Sequence, residues 1–184
     1  MASERELRRR AYLDKGAAEV DALVARGVVI GGNAFSSVLL VKGAPDAADL
    51  GEAGPLSGAD GTALRASLAA LGYEPQDWAA LLAVDAAGAP LDPLLLREAV
   101  ACLDPATLVC CDEEAVACVR DAFADELADI EQLEVAMLEP GLLAHVNGMR
   151  VLNLGGFAAA LSDPKAKQLM WARLKQIPPL AEPY

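Results

Sequence analysis

Aromatic residues are scarce in this chain, with three Phe, three Tyr and two Trp among 184 residues. A core must therefore be filled by Ala, Leu and Val. The hydrophobic share of 54% is ample for that and excludes disorder over most of the length. Histidine is scarcer still: His145 stands alone, which leaves little for a His-containing metal site or a Ser-His-Asp triad. The four cysteines, Cys102, Cys110, Cys111 and Cys118, form no C-x-x-C pair. They read as small buried residues of a reduced protein, and neither a metal nor another cofactor is expected. No apolar run approaches the ~20 residues of a membrane span. The opening M-A-S-E-R-E-L-R-R-R is charged and unlike a secretory signal, so no membrane association and a cytoplasmic location are the expectations.

Positive charge is also in short supply. The formal net charge is −12, which opposes non-specific nucleic-acid binding, because such binding needs a positive surface to displace counterions. The bases that exist gather near the two ends. Arg5, Arg8, Arg9, Arg10 and Lys15 lie at the start, and Arg150, Lys165, Lys167, Arg173 and Lys175 near the finish. Between Asp112 and Glu139 the only base is Arg120. Ordinary solvated helix faces account for this pattern, and a basic face shared by the two ends is the sharper alternative.

What is present is an alternation of short apolar runs with helical patterns. Ser3 to Arg26 reads as a helix ended by Gly27, followed by a short extended piece at Val28 to Ile30. Val38 to Val41 is the first central strand, and a helix opens near Asp60 and runs to Leu71. Trp78 to Val84 is ambiguous and is read as a helical turn leading into a second strand near Leu81 to Val84. Asp92-Pro93 opens a helix that reaches Leu103, with Asp as the cap and Pro in the first turn. Thr107 to Cys111 is the third strand, with Cys110 and Cys111 pointing to opposite faces, and Asp112-Glu113-Glu114 opens the next helix. The alternation of Leu133, Val135 and Met137 predicts an edge strand. Val146-Asn147-Gly148-Met149 predicts a hairpin turn into the last strand, Arg150 to Leu154. Asp163-Pro164 caps a final helix reaching Ile177. The expected fold is α/β: three layers, with helices on both sides of a central, mostly parallel sheet of about four strands. The expected organisation is one domain over 1–184, with 1–32 as helix and lead-in and 176–184 as an extended tail.

The stretch Val38 to Leu64 organises this pattern as strand, Gly/Pro/Asp-rich loop and helix, which places a ligand site at the carboxyl end of a parallel strand. It holds no phosphate-binding P-loop, and Gly54, Gly58 and Gly61 miss the G-x-G-x-x-G dinucleotide spacing. Three blocks carry a resemblance. Pro55-Leu56-Ser57-Gly58-Ala59-Asp60-Gly61-Thr62-Ala63-Leu64 is similar to the P-F-V-G-x-A-G-x-L-L block of the bacterial uracil-DNA glycosylases of the iron–sulfur type. Leu103 to Val109, with the Ala-rich helix after it, resembles that family's segment of proline, strand and helix. Phe157 to Trp171 resembles the family's closing H-P-A-A-L-L-R-D-P-x-L-K-R-x-x-W. The resemblance implies a glycosylase-like fold that works on a flipped base.

It also implies where the chemistry would sit. The family's first loop, G-E-A-P-G, is matched by Ala44 and Pro45, but its acid position is Gly43. Its second strand ends in an asparagine that reads uracil; here Val84 stands there, next to Asp85. Its third loop opens on a histidine, and here that position is Gly156. The family's cluster cysteines are not matched. Losing such groups costs ~10²–10³ each in rate. The expected function is therefore a glycosylase-like protein without excision activity, a binding or interaction domain that keeps the old pocket. The resemblance places that pocket at Gly43, Ala44, Pro45, Asp46, Ser57, Gly58, Asp85, Asn153, Gly155 and Gly156. A small polar or anionic ligand held by backbone N–H groups, or a protein, is the expected partner. Two alternatives stay open: a re-tooled glycosylase or hydrolase using Asp46 or Asp85, and DNA binding without excision.

Overall fold

The computed structural model describes residues 3–178. Along them run α1 (Glu4–Ala25), β1 (Val28–Gly32), β2 (Val38–Lys42), α2 (Ala59–Ala70), β3 (Trp78–Asp85), α3 (Pro93–Leu103) and β4 (Thr107–Cys110). Then follow α4 (Glu113–Ala122), α5 (Ala124–Ala128), α6 (Leu133–Ala136), β5 (Leu143–Val146), β6 (Met149–Asn153), α7 (Phe157–Ala160) and α8 (Pro164–Leu174). Of the expected tail, 179–184 lie outside the described residues. No described helix is long and apolar enough to cross a membrane.

The fold is mixed α/β, built on one six-stranded sheet in the order β1-β3-β2-β4-β6-β5. The inner pairs β3/β2, β2/β4 and β4/β6 run parallel, and the outer strands β1 and β5 pair antiparallel with β3 and β6. The sheet is thus larger than the expected four strands, because both margins carry an antiparallel strand. The inner strands are buried on both faces, and β2, β3 and β4 read as near-continuous apolar runs. β2 and β4 are buried throughout. This also corrects the reading of Trp78 to Val84: all eight residues of β3 are extended, and the only helical turn precedes them at Pro75–Asp77.

Alternate strand residues feed two core clusters, one on each face. Leu39, Val41, Leu108 and Cys110 join Leu23, Leu96, Val116 and Val119 on the side of α1, α3 and α4. Val38, Leu40, Val109 and Cys111 join Leu64, Leu68, Phe157 and Met170 on the side of α2, α7 and α8. Burial pushes both the Cys110 and the Cys111 thiols well above their ordinary range, so neither supplies a thiolate.

Several helix ends are written locally. Asp92 and Asp163 each cap a helix whose next residue is proline. Ser3 and Glu6 form a capping box on α1. Asn147 and Gly148, with φ of 51° and 82°, make the left-handed two-residue turn between β5 and β6. The expected edge strand at Leu133 to Met137 is instead the short helix α6, and the edge is taken by Leu143–Val146. Leu133 and Met137 are both exposed, so their alternation marks no buried strand face.

Candidate functional site: an acidic cleft at the strand switch point

From β2 the chain crosses through α2 to β3 on one side. From β3 it crosses back through α3, past β2, to β4 on the other. Right-handed crossovers in opposite directions place α2 and α3 on opposite faces. A crevice therefore opens between the carboxyl ends of β2 and β4, where open α/β sheets bind ligands. A cleft of about 530 Å³ lies there, with polar walls from Lys42, Asp46, Asp60, Asp112 and Ser162 and an apolar side from Ala158 and Leu161.

Lys42 ends β2 and is almost fully buried, with a side chain 5% exposed. Its ammonium lies 2.5 Å from Asp49 and 2.7 Å from Asp60. Burial pulls the ammonium's pKa down, but the hydrogen bonds to Asp49 and Asp60 outweigh it and leave Lys42 above its ordinary range. Asp49 is fully buried. Burial would raise its pKa, yet the Lys42 hydrogen bond and the N–H groups of Asp46 and Ser57 hold it below the carboxylate range. Those N–H groups donate at 2.9 and 3.1 Å, so Asp49 pins both ends of the loop 46–57 to the sheet.

Asp46 lies at the mouth of the cleft. Its Oδ1 accepts from Ala48 and Asp49 N–H at 2.8 and 3.1 Å. Its Oδ2 occupies the space where a Cβ on Gly58 would sit, 2.0 Å from that position. Carboxylate oxygens of Asp46, Asp49 and Asp60 lie within 4.8 Å of one another. This is oxygen-ligand chemistry suited to a hard cation, but Lys42 Nζ already places a positive charge among them.

Across the cleft, Asp112 caps α4 by accepting from Ala115 N–H at 2.7 Å. The same carboxylate accepts from Gly43 N–H at 3.0 and 3.1 Å and from Ala44 N–H at 3.0 Å. The N–H groups expected to hold an anionic ligand are thus engaged by the chain's own carboxylate. Asp112→Ala is expected to lose about 2 kcal/mol of stability, the upper range for a lost cap. It is also expected to open an anion site at the vacated N–H groups. Thermal unfolding checks both: phosphate should raise the midpoint of the variant and leave the wild type unchanged.

Gly43 explains why the loop takes this shape. A Cβ there would lie 2.3 Å from Ala115 N and 2.5 Å from Glu114 C, so α4 packs directly on the loop backbone. The position that the resemblance gives to a catalytic acid has no room for a side chain.

Of the other expected pocket residues, Ala44 lines the cleft with Asp46. Pro45 is half-buried beside them, and Ser57 donates its N–H to Asp49 and its hydroxyl to Gly54 C=O. The rest lie elsewhere. Val84 is buried and bridges to Pro90, while Asp85 accepts from Ala87 and Ala89 N–H in the turn after β3. Asn153 is buried with its amide fully engaged, donating to Leu138 C=O and accepting from Gly155 N–H, both at 2.7 Å. Gly155 and Gly156 hold φ of 74° and 90°, which turn the chain from β6 into α7.

Sequence reasoning gave Lys42 and Asp49 no role in the site and read Asp60 and Asp112 only as helix starts. One signal was available: a lysine directly continuing the run Val38-Leu39-Leu40-Val41 is either the end of a strand or a buried charge needing a partner. Comparison with protein-family models and with curated proteins finds no match for this chain.

Proposed function

We propose that this chain is a uracil-DNA glycosylase-like protein without base-excision chemistry, acting as a binding domain through the cleft between β2 and β4. The observation that carries the reading is the closed position at Gly43. The loop after β2 lies at the switch point, yet Gly43, the residue that the resemblance matches to the family's acid, abuts α4, and the N–H groups of Gly43 and Ala44 are taken by Asp112. Excision needs groups aimed at the reacting sugar and at the departing base, and Gly43 and Gly156 bring no side chain to either role. The cleft retains Asp46, Asp60 and Asp112 against the single Lys42. That balance favours a small ligand rich in hydrogen-bond donors or positive charge, and disfavours phosphate and the DNA backbone. A re-tooled hydrolase would rest on Asp46 alone, since Asp85 closes a turn outside the cleft.

A uracil-excision assay on single- and double-stranded DNA, run beside a salt-dependent DNA-binding titration, tests the reading. The expected result is no released uracil and no DNA binding at physiological salt. Released uracil would overturn the loss of activity, and binding without release would replace the small-ligand reading with a DNA-binding one. Arginine amide, as a cationic probe, is expected to raise the unfolding midpoint of the wild type more than that of Asp46→Asn.

A further inference from the structure

The first half of α1 is out of keeping with the rest of the molecule. Every residue from Glu4 to Lys15 is exposed, including Leu7 at 58% and Tyr12 at 69%. The helix is packed through its second half, where Leu23 and Val20 meet the core beside α3 and β1. Some 12 residues of helix, ~18 Å at 1.5 Å per residue, thus form an arm, of which Arg9, Tyr12, Leu13 and Lys15 line an open cleft against Phe35 and Asp104 of the same molecule. A helical segment of this length is marginal in water without a packed face. Its capping box and its exposed Arg8–Glu4 and Lys15–Glu19 pairs supply local support but no packed face. Among the described residues Arg5, Arg9 and Arg10 make no ion pair, which leaves the arm basic in a chain of net charge −12.

A surface of opposite character lies at the other edge of the sheet. A groove of about 410 Å³ runs between α5 and α6, lined by Leu127, Ala128, Ile130, Leu133, Ala136 and Met137, with Arg120 as its one basic residue. Leu133 is 69% exposed and Met137 43%, so apolar surface faces water there. The segments that form it carry exposed Asp121, Asp125, Asp129, Glu131, Glu134 and Glu139 against the single base Arg120. An apolar groove with acidic surroundings fits a basic helix that brings a few apolar side chains.

The arm cannot fill the groove of its own molecule. α1 packs on β1 and α6 packs on β5, which are the two outer strands of a six-stranded sheet. Five strand spacings separate them, ~24 Å, and the arm is shorter than that. We propose that the chain self-associates, the basic first half of α1 from one copy seating in the acidic α5–α6 groove of another. Two copies that exchange arms satisfy both grooves, so a twofold dimer is the smallest closed form.

Sedimentation equilibrium of the full chain tests this across salt from about 0.01 M to about 1 M, where the screening length falls from ~30 Å to ~3 Å. The wild type is expected to double in mass with concentration at low salt and to be monomeric at high salt. An arm-reversed variant, Arg5→Glu with Arg9→Glu and Arg10→Glu, and a groove-reversed variant, Glu131→Lys with Glu134→Lys, should each stay monomeric. All five positions are exposed, so both variants should keep wild-type circular dichroism. An equimolar mixture of the two should regain the dimer, because each then offers a surface complementary to the other. A wild type that stays monomeric at low salt up to about 100 µM overturns the proposal, as does association that survives both reversals. Oligonucleotide binding lost on arm reversal, with no change in mass, also overturns it and makes the arm a nucleic-acid contact.

Discussion

Replacing Lys42 by methionine is expected to cost about 3–5 kcal/mol of stability, the range for removing one partner of a buried ion pair. Urea unfolding at neutral pH is the measurement. The size of the loss follows from what stays behind. Asp49 has no exposed surface and Asp60 is only 12% exposed at its side chain, so neither regains water when the ammonium goes. Methionine fills the stem but neutralises nothing. In the double variant Lys42→Met with Asp49→Asn, the fully buried charge is gone while the amide oxygen still accepts from one of the two N–H groups, Asp46 or Ser57, that in the wild type donate to separate oxygens of Asp49. A substantial part of the loss should return, and the double-mutant cycle measures the coupling.

The pH dependence carries an independent check. Asp49 is held below its ordinary value of 3.8, so its contribution is fully present above that value and is lost as pH falls through its lower folded value. Lys42 is held above 10.5, so its contribution is fully present below that value and is lost as pH rises through its higher folded value. Between those limits the pair gives a plateau. Removing the lysine raises the folded-state affinity of Asp49 for a proton, so the deficit of Lys42→Met should narrow as pH is lowered from about 6 to about 4. A deficit independent of pH would mean that lost packing, not an unpaired carboxylate, carries the loss.

Gly43→Ala is expected to destabilise by about 3 kcal/mol, at the top of the range for overpacking. The reason is the kind of atom in the way. The added Cβ meets the backbone of Glu114 and Ala115 in the first turn of α4, and no rotamer change relieves such a contact. Relief requires β2 and α4 to separate, which breaks the contacts of Asp112 with Gly43 and Ala44 N–H. Ala44→Ser, one residue on and exposed, should stay within about 0.5 kcal/mol. Gly43→Glu, which places the glycosylase family's acid at its matched position, is expected to lose more stability than Gly43→Ala and to gain no excision activity. A folded Gly43→Glu variant that releases uracil would show that the loop can present an acid to a flipped base and would overturn the reading of a closed position.

Much of the fold was legible because its signals are local. Val38 to Val41 and Thr107 to Cys111 read as strands because buried parallel strands need near-continuous apolar runs, and Arg150 to Leu154 because the Asn147-Gly148 turn leads into it. Asp92-Pro93 and Asp163-Pro164 read as helix starts because the cap and the first turn need only neighbouring residues. Leu133, Val135 and Met137 misled because a single helical turn is too short for a 3.6-residue period to outweigh an accidental alternation. The outer strand went to Leu143–Val146 instead, since the Asn147-Gly148 turn fixes its register against β6.

The cleft was legible only as a place. A glycine-rich loop after a strand marks where a ligand site sits, and Ala44 and Asp46 do line it. Its charges were not legible, because their partners come from different elements. Lys42 finds Asp49 seven residues on, and Asp112 caps Gly43 from 69 residues away.

By itself, then, the sequence determined the inner strands and the main helices between them, several of their caps, the glycines at the turns and the acidic balance of the chain. Each of these depends on a residue and its near neighbours. Tertiary structure alone decided that Lys42 is neutralised, that Asp112 fills the N–H groups of the first loop, and that Gly43 has no room for an acid. The physical reason is strand order. Once β4 lies beside β2 rather than beside β3, the loop at 43 and the start of α4 are forced into contact. Burial then requires every charge brought there to find a partner within reach.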